Sequence, residues 1–454
     1  MRRKSLDLEA LDKRYLWHPF TQMREWLAAP QLVIERAKGV WLYDSKGRKY
    51  LDGVSSLWAN VHGHAHPVII AALRSQLRQL DHSTFLGLSN VPAIHLAEQL
   101  IQLSPPNLTR VFYSDNGSTA VEVALKMSFQ YWRQRGKAFA KKTRFIRFGN
   151  AYHGDTLGSA SVGGIDLFHQ LFKPLLFRTI SVFFPSCYRC PFAKEPATCD
   201  VYCLKELASA LQAHSDGICA VVAEPGIQAA GGMVVAPPGF LKRVEALCRK
   251  HKVHLILDEV ATGFGRTGRM LACEHEQVQP DFVALAKGMT GGVLPLAATL
   301  TTEKIFNAFL GEYTDFKTFF HGHTYTANPL ACSAALANLA IFRQERTLAR
   351  LKSKIRLLET GLKKFWALPH VGDVRQFGFM VGIELVQDRA RRLPFPLSRR
   401  MGHRVVLEAR ERGVILRPLG DVVVLMPPLS ISKPELKQLL TVTFDSIKAA
   451  TQPS

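Results

Sequence analysis

The stretch that most constrains this 454-residue chain runs from Val253 to Gly292. An apolar run, Val253-His254-Leu255-Ile256-Leu257, ends on two acids, Asp258 and Glu259. A second run, Phe282-Val283-Ala284-Leu285-Ala286, ends on Lys287 and is followed by Gly288 and Gly291-Gly292. Between them lies a glycine-rich turn, Gly263-Phe264-Gly265-Arg266-Thr267-Gly268. Short apolar runs without alternation are the pattern of strands buried on both faces, as in a parallel sheet. Ligands of open α/β sheets bind beyond the carboxyl ends of the strands. Each run delivers a polar group to that end.

A lysine and an acid so placed suit pyridoxal phosphate: the amine condenses with the aldehyde and the carboxylate keeps the ring nitrogen protonated. Two other readings stand beside it. Gly263-x-Gly265-x-x-Gly268 matches the dinucleotide fingerprint letter for letter. That fingerprint follows its strand at once, whereas here Asp258 to Thr262 intervene and two carboxylates at the mouth would repel a pyrophosphate. The other is a plain turn beside a structural salt bridge.

The length allows a large core and two domains, and 47% hydrophobic with 21% charged residues is a globular balance. The net charge of +21 comes from 58 basic and 37 acidic residues. The basic residues are scattered in short clusters, such as Lys141-Lys142 and Arg391-Arg392, with no long basic tail. We therefore assign the charge to solvated surface and attraction of anionic ligands rather than to nucleic acid. Met1-Arg2-Arg3-Lys4 is basic, but Ser5 to Arg14 lacks the apolar core of a signal peptide, and no apolar run approaches the ~20 residues that span a bilayer. The expectation is a cytoplasmic protein without a membrane partner. Its eight cysteines are then mainly reduced, and the sequons at Asn107 and Asn116 carry no weight.

Along the chain, residues 1–60 read as an N-terminal arm and small-domain segment, with a hairpin over 40–52. Residues 61–342 read as a large domain and 343–454 as a C-terminal small domain. Helical spacing runs through 67–103. Val111-Phe112-Tyr113 is a strand, Asp115 to Thr119 a turn, and Ala120 to Arg133 a helix. Strands follow over 143–148 and from Ile218 to Glu224. This repeated strand–turn–helix order implies a mostly parallel sheet with helices on both faces. Residues 346–366 read as a linking helix; 371–386, 401–413 and 414–426 read as strand, helix and strand.

Several short motifs carry chemistry, each with a plainer alternative. Gly117-Ser118-Thr119 opens a helix after a strand, where free N–H groups and the helix dipole cradle a phosphate. The alternative is a cap by Ser118 or Thr119, with Glu122 near the third helical position. Tyr152-His153-Gly154 offers a ring to stack on a planar cofactor, or simply packs. Glu224-Pro225 and Gln228 lie at another strand end, where an amide suits a ring oxygen, or form a loop. His62-Gly63-His64-Ala65-His66 and His321-Gly322-His323 look like metal sets but have no acid nearby; hydrogen-bonded loop histidines are preferred. No Gly-x-Ser-x-Gly elbow is present. Cys187-x-x-Cys190 with Cys199 and Cys203 has zinc-like spacing. The segment also carries Pro185, Pro191 and Pro196 and reads as a surface insertion, so no metal is expected.

Taken together, these motifs resemble the class III, fold-type I pyridoxal phosphate aminotransferases over essentially the whole chain. The resemblance narrows to the biotin-pathway branch that converts 8-amino-7-oxononanoate (KAPA) to 7,8-diaminononanoate (DAPA). It rests on Trp17-His18-Pro19-Phe20-Thr21-Gln22-Met23, Asp52-Gly53-Val54-Ser55-Ser56-Leu57-Trp58, Asn150 to Thr156, Asp258 to Gly268, and Arg417-Pro418-Leu419-Gly420. It implies a large domain with a mostly parallel seven-stranded sheet covered by helices, plus a small α+β domain. Lys287 would hold the cofactor and shuttle the proton, and Asp258 would pair the ring nitrogen. Gly117 and Ser118 would bind the phosphate, completed by His323-Thr324 from the neighbouring subunit of a homodimer. Tyr152 would stack on the ring and Gln228 bond its phenolic oxygen. Arg417 would anchor the distant carboxylate of KAPA, Trp58 would line the channel, and Gly322 would admit substrate to the backbone. Arg266 is a further substrate candidate.

The family's default amino donor is S-adenosylmethionine. Here Phe20 and Leu57 stand where such enzymes carry tyrosine and tryptophan, and Val424 where they carry an aromatic residue. These departures, with His-Ser-Thr at 82–84 and Phe-Phe-His-Gly-His at 319–323, resemble a lysine-using branch. L-Lysine is thus the alternative donor. Class III enzymes for ornithine or 4-aminobutyrate are the alternative activity.

Overall fold

The structure, a computed structural model, describes residues 7–195 and 197–452. The basic Met1–Lys4 stretch and Pro196 lie outside those residues. Its centre is a seven-stranded sheet. In spatial order the strands are Leu108–Ser114, Ala297–Thr302, Phe282–Leu285, His254–Asp258, Ile218–Ala223, Arg144–Phe148 and Ile180–Val182. All run parallel except Ala297–Thr302, which is antiparallel to both its neighbours.

Every residue of the three central strands is buried. Side chains alternate across the sheet, and the core divides accordingly. Leu255, Leu257 and Val283 join the cluster under helices Leu204–His214 and Phe240–Lys250. Ile256, Phe282 and Ala284 join the cluster under helix Gly117–Gln134, with Val121, Ala124 and Leu125. Two covered faces are why these runs are apolar throughout.

The strand Ala297–Thr302 was not anticipated. Its Ala-Ala-Thr-Leu-Thr-Thr sequence mixes alanines, poor in strands, with threonines, which favour them; pairing on both edges decides the outcome. The helical stretch 67–103 is two helices, Pro67–Leu77 and Val91–Gln102. The second starts where Asn90 accepts a bond from Ala93 N at 3.0 Å.

Beyond residue 343, helix Thr347–Leu362 leads to a four-stranded antiparallel sheet. The span expected as one strand over 371–386 is a hairpin, Val371–Phe377 with Met380–Leu385. Gly378 turns it at φ +60, first of the two loop residues, where a primed turn wants glycine. Apolar residues continue through Phe379-Met380, which hides the turn from a hydrophobicity pattern. The span 414–426 likewise divides into Val414–Ile415, Arg417–Leu419 and Val422–Leu425. The first of these pairs in parallel with Lys49–Asp52, the end of the N-terminal hairpin. Residues 34–52 therefore complete a sheet with a strand about 360 positions later.

The glycine-rich turn is packed by its own chain. A Cβ on Gly265 would lie 2.8 Å from Leu429 Cδ1 and 3.1 Å from Leu348 Cδ2. No room remains for a pyrophosphate, so the dinucleotide fingerprint is a chance match. Phe379 N donates to Arg266 O at 2.8 Å, and a Cβ on Gly378 would overlap the Thr267 backbone. The glycine-rich turn and the Gly378 hairpin meet there backbone to backbone. No helix among the described residues is long and apolar enough to cross a membrane.

Gly378→Ala should therefore cost on the order of 3 kcal/mol, combining a left-handed backbone with overpacking. Gly420→Ala, at φ +58 but with open space around it, should cost about 1 kcal/mol. Denaturant unfolding of the two variants checks the difference; equal losses would deny the close contact between the hairpin and the glycine-rich turn.

Candidate active site

A cavity of about 760 Å³ opens at the carboxyl ends of the central strands. Trp58, Gly117, Ser118, Tyr152, Asp258 and Lys287 all line it. The structure brings these six sequence candidates together around one cavity.

Lys287 follows the strand Phe282–Leu285 and opens a short 3-10 turn, Lys287–Thr290. Burial lowers its amine pKa, and the negative charges of Asp258 and Glu224 only partly oppose this. Its Nζ lies 5.3 Å from the Trp58 ring centroid. The turn is pinned from behind by Asn338, whose Nδ2 donates to Gly288 O at 3.0 Å and Met289 O at 2.9 Å.

Asp258 ends its strand, and alternation sends its neighbour the other way. Glu259 accepts from Ala272 N at 3.0 Å and Cys273 N at 2.8 Å, a structural role. Asp258 Oδ1 accepts from Val260 N at 3.0 Å, and Oδ2 lies 2.7 Å from His153 Nδ1. The His153 side chain is fully buried and its Nε2 has no partner. Burial opposes charge on that ring, but the bond to Asp258 outweighs it and raises the imidazole pKa. Glu224 completes the buried set. It accepts from Tyr152 N at 3.2 Å and Ala229 N at 2.9 Å, and burial pushes its carboxyl up to about 7.

At the other pole, helix Gly117–Gln134 is capped by Asn116, not by Ser118 or Thr119. Asn116 Oδ1 accepts from Thr119 N, and Thr119 Oγ1 accepts from Asn116 N, both at 3.1 Å. Glu122 accepts from Gly158 N at 2.7 Å instead of closing a cap. The first-turn N–H groups of Gly117 and Ser118 have no helical carbonyl to bond. A Cβ on Gly117 would sit 2.7 Å from Val260 Cγ1, and one on Gly154 would overlap Ser118 Oγ. Bare backbone thus faces the cavity. Tyr152 stands between the poles, its hydroxyl donating to Asp155 Oδ2 at 2.7 Å.

The remaining candidates lie outside this lining. Gln228 is buried and donates to Gly149 O at 2.9 Å. Arg417, half-buried on its strand, has Tyr152 as its electrostatic neighbour. Phe20 is 60% exposed and meets Phe168 edge-on, and Leu57 is 49% exposed. Gly322 and Thr324 are exposed, and His323 Nδ1 lies 2.9 Å from Asp115 Oδ2. Arg266 is a correction. Its guanidinium is buried and donates to the carbonyls of Pro427 (2.8 Å), Trp58 (3.1 Å) and Asn60 (2.7 Å), so it braces the cavity wall and is not available to substrate.

Histidines of the two short motifs have separate partners: His62 with Asn338 O, His64 with Asp52, His66 with Glu345 and His321 with Lys126. Among the described residues no three His, Cys, Asp or Glu side chains are grouped to hold a metal. All eight cysteines are free, with Cys187, Cys190, Cys199 and Cys203 partly exposed.

Comparison with known proteins decides the family. The family model "Aminotransferase class-III" matches residues 23–447. The chain belongs to the class III aminotransferases. Adenosylmethionine-8-amino-7-oxononanoate aminotransferase of Nitratidesulfovibrio vulgaris is 55% identical over 98% of this chain and 82% of the relative. The enzyme of that name from Geobacter sulfurreducens is 54% identical over 97% of each chain. The crystal structure of the Methanocaldococcus jannaschii enzyme of that name superposes with a TM-score of 0.93 at 46% identity, covering 98% of this chain and 99% of the other. This class III enzyme is a pyridoxal phosphate-dependent transaminase. Its cavity fits that cofactor: a buried amine of lowered pKa, a carboxylate backed by an imidazole, and two unpartnered N–H groups at a helix start meet the needs of an aldehyde, a ring nitrogen and a phosphate.

Four contributors were not read as such from sequence. Asn116 sits one residue before the expected cradle, and Asn338 lies mid-helix with no local signal. His153 and Glu224 were visible beside Tyr152 and Gln228, but their shared burial with Asp258 was not.

Glu224 makes stability pH-dependent in the cofactor-free protein. Its folded pKa of about 7 exceeds the ordinary 4.5, so between those values the folded state binds more protons than the unfolded chain, and stability falls as pH rises. Glu224→Gln should flatten that slope and raise the melting temperature above neutrality. Melting curves across the window check this; an unchanged slope would mean Glu224 stays ionised.

Proposed function

We propose that this class III aminotransferase transfers the amino group of S-adenosylmethionine to the ketone of KAPA, giving DAPA, as the names of its relatives say of those enzymes. The observation that carries the KAPA assignment is Arg417. Burial lowers the pKa of its guanidinium, and no carboxylate among the described residues compensates. Such a group beside Tyr152 suits a carboxylate held far from the reacting ketone, at the end of an alkyl chain. Shorter ornithine or 4-aminobutyrate substrates leave it with less to hold.

When bound, pyridoxal phosphate supplies an aldehyde to take up the amino group and a ring that withdraws electrons. Lys287 would hold the cofactor, and its Nζ would move the proton at the substrate carbon bearing nitrogen; the lowered pKa favours the neutral amine this needs. Asp258 keeps the proton on the ring nitrogen, and His153 orients that carboxylate. Gly117 and Ser118 bind phosphate through their N–H groups. Tyr152 and Trp58 cover the site and exclude water.

We assign a homodimer with His323 and Thr324 reaching the partner's site. Supporting this, Tyr313, Phe316, Phe320 and Tyr325 are exposed around them in a single chain. The cytoplasm is the proposed location. L-Lysine as donor has in its favour the departures at Phe20, Leu57 and Val424 and the stretches at 82–84 and 319–323; the exposed Leu57 offers no aromatic face.

Lys287→Ala and Lys287→Arg should both abolish transamination in a folded protein, since a guanidinium cannot replace a nucleophilic amine. Product analysis with KAPA and each donor checks this; turnover by either variant overturns the assignment of Lys287. DAPA formed with L-lysine and not with S-adenosylmethionine overturns the donor.

Arg417→Ala should weaken KAPA use ~30- to 1000-fold through loss of a charge-assisted bidentate contact. The donor half-reaction should lose less. Unchanged kcat/KM for KAPA would remove the anchor.

A further inference from the structure

Residues Ser55, Ser56, Leu57 and Trp58 all have positive φ, at 52°, 46°, 73° and 68°. The ψ values of Ser56 and Leu57, 53° and 49°, complete a left-handed helical turn. L-residues visit this region singly, not four in succession, and none of these is glycine. Such a segment persists only where its surroundings over-determine it, and such segments cluster at ligand sites.

The surroundings here are specific. Asp52 is wholly buried. Its Oδ1 accepts from Val54 N at 3.3 Å and Ser56 N at 3.0 Å. Its Oδ2 accepts from Ser56 Oγ at 2.8 Å and His64 Nε2 at 2.9 Å. Ser55 Oγ donates to Met426 O at 2.6 Å, and Arg266 closes the far end on the Trp58 and Asn60 carbonyls. Gly292 has no Cβ because one would lie 2.7 Å from Ala59 C.

The turn ends on Trp58. Its ring lines the cavity, packs in one cluster with Val424 and Met426, and stands over Lys287 Nζ. Its indole Nε1 is buried without a partner, a donor left for whatever enters. An ordinary right-handed turn from Gly53 would carry this ring in another direction.

We propose that Asp52 is the positioning residue of this wall: its four hydrogen bonds hold Ser55–Trp58 left-handed and so set the Trp58 ring, with its free N–H, against the substrate. This rests on the cavity being the KAPA site. Asp52 touches no substrate and acts through Trp58.

The experiment uses the full-length holoenzyme, with amide exchange by mass spectrometry over residues 54–60 without substrate and steady-state kinetics with KAPA. Asp52→Asn should speed exchange in that segment and raise the KM for KAPA about tenfold, the scale of hydrogen bonds to a charged acceptor, while kcat moves less. Ser56→Gly in that background lets the backbone reach φ +46° without a Cβ and should return KM toward the parent value. If Asp52→Asn does not accumulate folded, His64→Ala removes one of the four bonds and should raise KM about threefold. A Trp58→Leu effect on KM without an effect of Asp52→Asn or His64→Ala overturns the positioning role alone. An unchanged KM in Trp58→Leu overturns both the contact and the proposal.

Discussion

The structure depends on burying an acid, an imidazole and an amine together where three strands end. Asp258 and His153 are almost inaccessible and Lys287 is partly buried beside them, and an isolated charge in such a place is costly. The set is tolerable because its members offset one another. His153 gains positive character from Asp258, Lys287 loses it through burial, and Glu224 holds its proton to near neutrality. Groups whose environments push their titrations apart are those that can hold and hand on protons near pH 7. The central strands and their two helical layers keep water from relaxing the arrangement.

A second constraint is mechanical. Arg266 is buried without a carboxylate bonded to it, and its fork is met by three carbonyls from two distant parts of the chain. One lies in the small-domain segment, two follow the N-terminal hairpin, and the arginine itself belongs to the turn after the Asp258 strand. Asp52 is the acid whose charge opposes the burial penalty on this guanidinium. The wall of the site is therefore built only when N-terminal, central and C-terminal segments have all docked, and no one of them carries the cavity alone.

How much of this was legible follows from the range of the interactions. The Asp258 and Lys287 strands announced themselves, because burial on both faces leaves an apolar run with no alternation. Lys287 and Asp258 stand where those runs end; Gly117, Ser118 and Tyr152 each had a plainer alternative and took their roles from the family resemblance. Arg266 misled because the family resemblance offered it as a substrate contact; only the fold shows three carbonyls closing on it. The hairpin at Gly378 was lost because apolar residues run through its loop, and the strand Ala297–Thr302 because both its edges are supplied by distant segments. Asn338 serves Lys287 from mid-helix, a contact between elements that no local pattern records.

The segment from Val414 to Pro427 joins these threads. Ile415 O accepts from Gly53 N and Gly53 O from Met426 N, at 3.0 and 2.9 Å, so it grips the base of the left-handed turn. Pro427 O receives Arg266, Val424 and Met426 pack with Trp58, and Arg417 stands on the adjoining strand, paired with Val424. The residues proposed to meet the two ends of KAPA thus hang on one short piece of sheet. A shift that re-aims Arg417 must move Val424, and with it the packing of Trp58. Substitutions at the two ends share partners, so their effects on substrate choice are coupled rather than additive.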